Sequence, residues 1–269
     1  MNIKQSFEKI AMNKTSREIK SYWENRAASD SSAQSTTMDI WLRYIEAEYL
    51  KKSIQHYQPK IICDVGCGDG LTTINCAKEN LGIKFSGFDY SESMIRNAES
   101  NAKFHQVMNV SFSINDIAQN LIGQSFDFIF TTRCLINLEN WDAQRVALDN
   151  IYNSLLPGGI YVMIENFQEG HDLFNSARRE FGLSEITVRD HNCFFKRSKL
   201  FEYLEQKFEV LEETNISSTY YLVSRVIYSC ICAEIGESPN YDDIHHRLAA
   251  KLPFSGEYGP VRAIVFRKV

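Results

Sequence analysis

Ile61-Ile62-Cys63-Asp64-Val65-Gly66-Cys67-Gly68-Asp69-Gly70 is the stretch on which the fold turns. Its first half is a short, mostly apolar run and reads as a strand buried on both faces. Glycine then occupies every second position. A glycine has no Cβ, so the backbone can turn sharply there and come close to a ligand. The next helix starts at the same place, with its first N–H groups unpaired. In an open α/β sheet the crevice at the carboxyl ends of the strands is the usual ligand site.

Downstream, strands and helices alternate. A helix of about ten residues runs to Asn80-Leu81-Gly82. Residues 84–89 read as the second strand. Ser91 reads as the N-cap of a helix carrying Met94, Ile95 and Ala98. Val110, Phe112 and Ile114 alternate as a third strand, and residues 126–131 form a strongly apolar fourth. Leu148, Ile151, Tyr152 and Leu155 make a helical stripe that Pro157-Gly158-Gly159 stops. Residues 160–164 are a fifth strand. Two more strands are expected at 208–216 and 261–267, with helices at 198–207, 219–235 and 241–251. Upstream, Leu42, Ile45 and Tyr49 place one buried stripe on a helix over 39–56. Residues 27–37, rich in Ser and Ala, read as a linker. Strand followed by crossover helix implies an α/β fold: an open, mostly parallel sheet of seven strands with helices on both faces. The expected division is an N-terminal helical cap (1–57) and one α/β domain (58–269). Helical insertions are expected near 167–197 and 218–258, where a substrate lid would sit.

The bulk properties narrow the partners. The formal charge of −5 makes the chain a poor counterion for a phosphate backbone, so no nucleic acid is expected. Residues 1–20 carry no apolar h-region, and the longest apolar stretch, 220–233, is too short to span a bilayer. Seven cysteines, with no CxxC pair, read as reduced thiols. A cytoplasmic protein without a membrane association is expected.

Asp89 follows Gly70 by nineteen residues, in Gly87-Phe88-Asp89-Tyr90-Ser91 at the end of the second strand. A carboxylate there can accept hydrogen bonds from both hydroxyls of a ribose. Asp116-Ile117, after the third strand, offers an adenine ring a polar edge and an apolar wall. Two ligand classes share this layout. The dinucleotide fingerprint G-x-G-x-x-G/A is met at Gly66 and Gly68 but fails at Leu71. Asp64, two residues before the first glycine, would face a diphosphate unfavourably and a cationic amino-acid moiety favourably.

With these residues the chain resembles the class I S-adenosylmethionine-dependent methyltransferases. The likeness covers about residues 22–167. It is carried by Asp64 through Gly70, by Asp89 with Ser91 and Met94, by Asp116, by Phe126-Asp127-Phe128-Ile129-Phe130 and by Leu156-Pro157-Gly158-Gly159. The resemblance implies a Rossmann-like sheet, S-adenosyl-L-methionine as cofactor and S-adenosyl-L-homocysteine as product. It implies cofactor-binding roles for Asp64, Gly66, Gly68, Asp89, Tyr90, Ser91, Met94, Asp116 and Ile117, and for Thr131 and Arg133 after strand four. Related small-molecule enzymes carry a Tyr-Trp-x-x-Arg-like segment over the methionine end of the cofactor. Tyr22, Trp23 and Arg26 match it, Arg26 as a partner for the carboxylate and the rings as a surface for the sulfonium.

The methyl acceptor is less legible. Family members that act on base amines or glutamine amides carry Asn/Asp-Pro-Pro-Tyr/Phe after strand four. Here that place reads Thr131-Thr132-Arg133-Cys134-Leu135, and none of the five prolines adjoins another. A small-molecule acceptor is expected, with an oxygen on a sugar or phosphoryl-type group as the first choice. A small amine or carboxylate is the alternative, and a loose likeness to bacterial glycan and secondary-metabolite pathway methyltransferases leaves the substrate open. A hydroxyl acceptor needs a base. His191, with Asp190 to orient it, and Glu165, closing strand five, are the catalytic candidates. His171, Asn192, Tyr220, Tyr221 and Arg225 are the substrate candidates. No cluster of carboxylates suggests a metal. A monomer or homodimer is expected. Two other readings stay open: a non-catalytic S-adenosylmethionine-binding module, and an NAD-dependent oxidoreductase.

Overall fold

The computed structural model describes residues 14–29 and 36–269. Residues 1–13, and residues 30–35 of the expected linker, lie outside that range. Seven strands form one sheet: β1 (Ile61–Val65), β2 (Lys84–Asp89), β3 (Val110–Ile114), β4 (Phe126–Thr132), β5 (Leu155–Asn166), β6 (Phe208–Asn215) and β7 (Val261–Lys268). Their order is β3-β2-β1-β4-β5-β7-β6. The first five are parallel, and β7 runs antiparallel between β5 and β6. The sheet is therefore mostly parallel, as the alternation of elements implies.

The helices before the sheet are α1 (Ser16–Ser29) and α2 (Ile40–Tyr57). Among the strands lie α3 (Leu71–Glu79), α4 (Glu92–Phe104), α5 (Trp141–Ser154), α6 (Gln168–Glu180) and α7 (Arg197–Leu204). The late insertion holds α8 (Ser218–Tyr221), a π-helical stretch (Leu222–Ile227), α9 (Tyr228–Ile235) and α10 (Ile244–Ala249). Apolar side chains cover both faces of the sheet. One core joins Leu42, Leu50 and Ile54 of α2 to Ile62, Phe128, Phe130 and Val162. The other joins Leu148 and Ile151 of α5 to Cys63, Ile129, Tyr161 and Met163. A central parallel strand flanked on both faces must be apolar throughout, and Ile62, Cys63 and Val65 are buried accordingly.

Three elements differ from the sequence reading. α5 ends at Ser154, and Leu155 already pairs with Phe126 as the first residue of β5. The Pro157-Gly158-Gly159 turn thus lies inside a bulged strand rather than at a helix stop, with Gly158 at φ +73°. The long helix expected over 219–235 is interrupted by the π-helical stretch, and α10 is shorter than the expected 241–251. Strand order reverses at β1, which has β2 on one side and β4 on the other. That reversal opens the crevice at the carboxyl edge of the sheet.

Candidate functional site

The turn after β1 is built without side chains. Gly66 sits at φ +77°, and a Cβ there would lie 2.2 Å from Cys134 Sγ. Gly68 sits at φ +54°, and its Cβ would lie 2.9 Å from Thr36 Cγ2. The amides of Gly66 and Cys67 both donate to the Phe88 carbonyl, at 2.7 and 3.0 Å, which lashes the turn to the end of β2. Asp89 follows there. Its Oδ2 accepts the Gly68 amide at 3.0 Å and its Oδ1 accepts the Ser91 amide at 2.9 Å. Each oxygen keeps a lone pair for a further donor. Burial pushes the Asp89 carboxyl up to about 6, against the two amides that favour the charged form.

Asp64 lies beneath the turn, buried, with the Thr73 hydroxyl donating to it at 2.5 Å. Burial lifts its carboxyl to about 7. Beside it, Arg43 of α2 grips the fully buried Asp69 with two nitrogens, at 2.5 and 3.2 Å. A second such fork joins Arg133 Nε and Nη2 to Glu46, at 2.6 and 3.1 Å. A third pair joins Arg225 to Asp39, the N-cap of α2. The three pairs fasten α2 to the turn, to the end of β4 and to the late insertion.

These elements enclose a cavity of about 330 Å³. Four residues on its wall carry buried polar atoms with no partner among the described residues: Trp23 Nε1, Tyr90 OH, Thr132 Oγ1 and Asn166 Oδ1. Buried polar groups are almost always paired, and four residues with an unpaired buried polar atom line this one cavity, which fits a wall whose partners a polar ligand could supply. A nucleoside fits this donor set. Asp89 has free lone pairs for ribose hydroxyls, and the glycine turn lets a ligand approach the backbone.

Most sequence-predicted residues meet on this wall. Tyr22, Trp23, Arg26, Asp64, Gly66, Gly68, Asp89, Tyr90, Met94 and Arg133 line it, as do His171, His191, Asn192, Tyr221 and Arg225. Ser91 stands behind it and caps α4, accepting the Met94 amide at 3.1 Å. Five others face elsewhere. Asp116 is turned onto its own loop, accepting from the Ala118 amide and Gln119 Nε2, and Ile117 is buried in the core under α5. Thr131 points into the sheet interior, 3.0 Å from the Tyr161 hydroxyl. Tyr220 donates to Asp39 at 2.5 Å as a buried strut. Glu165 is fully buried and accepts the amides of Cys134, Leu135 and Ile136, so it is not a base at the crevice edge. The sequence reading gave no role in the site to Arg43, Glu46, Asn166 or Tyr241, which also line the cavity.

The cavity is closed from two sides. α1 lies across α4, with Asn97 donating to the Ala27 carbonyl and Glu24 accepting the Glu92 amide. The extended segment 183–192 meets it. Tyr22 stacks on His191 with ring centres 4.5 Å apart, and Lys14 pairs with Asp190 at 3.2 Å. Asp190 is therefore engaged by Lys14, and its carboxylate stands 3.6 Å from His191 Nδ1, outside hydrogen-bond range. The His191 ring thus sits between the stacked tyrosine and the Asp190 carboxylate. Burial lowers the pKa of His191 and of His171. The Asn175 amide accepts from the Ile186 N–H at 3.0 Å, which fixes its orientation and turns its NH2 to His171 Nε2 at 3.2 Å. That nitrogen then accepts, and Nδ1 carries the proton.

These shifts predict an unusual pH profile. Asp64 and Glu165 titrate near 7 and Asp89 near 6, all raised above the ordinary carboxylate range chiefly by burial. The folded chain then takes up protons between about pH 8 and 6.5 that the unfolded chain does not, so the ligand-free protein gains stability on acidification across that window. Below about pH 6.5 the lowered pKa values of His171, His191 and His246 act in the opposite sense. Calorimetric melting should show Tm rising from pH 8 to 6.5 and then levelling or falling. A steady fall from pH 8 contradicts the burial of these carboxyls.

Residues 58–219, more than half of the chain, match a family model described as a methyltransferase domain. The chain belongs to the class I S-adenosylmethionine-dependent methyltransferases. Among relatives of this methyltransferase, the malonyl-[acyl-carrier protein] O-methyltransferase of Bacillus cereus is 29% identical over 167 residues, 61% of this chain and 58% of that protein. The carboxy-S-adenosyl-L-methionine synthase of Hydrogenovibrio crunogenus is 27% identical over 179 residues, 65% and 64% of the two chains. The methyltransferase thus spans less than two thirds of the length of these relatives. The N-methyltransferase NodS of Bradyrhizobium japonicum, solved with S-adenosyl-L-homocysteine, superposes with a TM-score of 0.58 at 16% identity, over 93% of this chain and 98% of that one. That likeness shows the shared fold. Among the described residues no helix is long and apolar enough to cross a membrane, and no three His, Cys, Asp or Glu side chains converge as metal ligands.

Proposed function

We propose that this methyltransferase moves the methyl group of S-adenosyl-L-methionine to a small-molecule acceptor, with an oxygen as the receiving atom. The observation that carries the reading is Asp89, buried beside the glycine turn with one lone pair left on each oxygen. The cofactor supplies a methyl group on a sulfonium, already activated towards a nucleophile. What remains for the chain is to bind, align and exclude water. In this reading Asp89 accepts the ribose hydroxyls, and the unpartnered Tyr90 hydroxyl and Trp23 N–H find acceptors on the ligand. Tyr22, Trp23 and Arg26 on α1 cover the methionine end.

The enclosed wall favours a small acceptor over a macromolecule. α1 and the 183–192 segment meet over the cavity, and the net charge of −5 repels a nucleic acid. His191 is the proposed base. It lines the cavity, and burial keeps its imidazole neutral at pH 7, able to take a proton from a hydroxyl. His171, Asn192, Tyr221 and Arg225 form the acceptor side. Methyl-labelled cofactor incubated with the folded enzyme and a fractionated metabolite extract tests the reading. Label should pass into the small-molecule fraction; label that stays in the donor, or enters protein or nucleic acid, contradicts it. With the acceptor so found, His191→Ala should lower kcat by about 100-fold and leave cofactor affinity within about twofold. Equal losses in kcat and cofactor affinity would make His191 a packing residue.

A further inference from the structure

The peptide after β4 has an unusual course. Arg133 is one of three non-glycine residues at positive φ among those described, at +48°, and Cys134 follows with φ −93° and ψ −56°. Left-handed then right-handed backbone turns successive N–H groups inward and makes a concave, anion-binding nest. The anion here is internal. Glu165, from the end of β5, accepts the amides of Cys134 at 3.1 Å, Leu135 at 2.9 Å and Ile136 at 3.3 Å. Its carboxyl is wholly buried.

The turn that Glu165 fills is a junction of the site. Arg133, Cys134, Ile136 and Asn137 all line the cavity. Cys134 occupies the space that the missing Cβ of Gly66 leaves open. The Arg133 amide donates to the Ile164 carbonyl at 2.7 Å, and its guanidinium forks onto Glu46. Asn137 Nδ2 closes the turn on the Arg133 carbonyl at 2.7 Å, while its Oδ1 accepts from Asn192 at 3.0 Å. The Cys193 amide donates to the Ile136 carbonyl at 2.7 Å. The turn therefore packs against Gly66 on one side and carries the segment of His191 on the other.

We infer that Glu165 is a positioning residue for the methyl-transfer site: its carboxylate, held by three consecutive amides, fixes the 133–137 turn that shapes both the cofactor wall and the acceptor wall. An amide in its place cannot do the same, because the single Gln oxygen can accept at most two of the three N–H groups and its NH2 would face the third. The inference rests on the cofactor reading above, and the two fail in different ways. If wild-type enzyme does not bind S-adenosylhomocysteine, the cofactor reading falls. If wild type binds and the variants bind equally well, this inference falls alone.

The test uses the full chain at pH 8, with S-adenosylhomocysteine affinity read by calorimetry and folding by circular dichroism. E165Q and E165A should each bind at least about tenfold more weakly than wild type, about 1.4 kcal/mol. E165A leaves room near the three amides for a small carboxylate. Formate or acetate should recover most of its lost affinity, and neutral acetamide should recover none. Wild-type affinity in E165Q, or equal recovery with acetamide and formate, overturns the inference. Should E165A not fold, amide exchange in E165Q decides. Loss of protection confined to residues 133–137 and their contacts at 192–193 supports the role. No loss, or a uniform loss through the sheet, overturns it.

Discussion

Replacing Asp89 by alanine is expected to weaken S-adenosylhomocysteine binding by about 2 kcal/mol, roughly thirtyfold. Two effects add. The ribose hydroxyls lose a charged acceptor, and hydrogen bonds to charged groups are worth about 1.5–3 kcal/mol. The Gly68 and Ser91 amides also lose the oxygens that tie the turn to the start of α4. Asp89→Asn separates the two, since its single amide oxygen can still accept one of these N–H groups. It should therefore fall between wild type and alanine. Calorimetric titration of the three proteins checks this order. An affinity unchanged in the alanine variant would detach Asp89 from the ribose.

The largest effect on stability is expected at Gly66. An alanine there adopts φ +77°, which costs an L-residue about 1–2 kcal/mol. Its Cβ also falls 2.2 Å from Cys134 Sγ and 2.6 Å from Cys134 Cβ. Overpacking a filled interior costs about 1–3 kcal/mol more. Gly66→Ala should lower Tm by on the order of 10 °C, and cofactor binding should fall with it, because the turn and the Cys134 wall are pushed apart. The clash is specific, so a second change tests it. Cys134→Ala removes the nearer atom and should return part of the loss in the double variant. Losses that simply add would mean that the two positions do not touch.

The local chemistry of the site was legible where backbone punctuation carries it. Glycines at 66, 68 and 70 mark the end of β1, and an acid at the end of β2 marks a hydroxyl acceptor. Both need only local sequence and the rule that such crevices open at the carboxyl ends of parallel strands. The late sheet was not legible in the same way. β7 inserts between β5 and β6, and nothing in residues 208–268 states which neighbour a returning strand will choose.

Side-chain direction was the other blind point. Glu165 and Asn166 are adjacent at the end of β5. A strand alternates its faces, and Asn166 takes the cavity while Glu165 reaches under the β4 turn. Tyr220 and Tyr221 split similarly on α8, one onto Asp39 and one onto the cavity wall. Asp116 ends its strand as a nucleotide-binding acid would, and each of its oxygens accepts one donor of its own loop. A short Asp side chain after a strand suits both uses. The pairs Arg43–Asp69, Arg133–Glu46 and Arg225–Asp39 join residues distant in sequence. No local spacing announces them, although they set where α2 sits over the site.

Calorimetric titration of the folded chain with S-adenosylhomocysteine and, separately, with NAD bears most directly on the whole account. One molecule of the sulfur nucleoside should bind per chain, with saturable heat, and NAD should give none. Heat from NAD alone, or silence from both on protein that melts cooperatively, would contradict it.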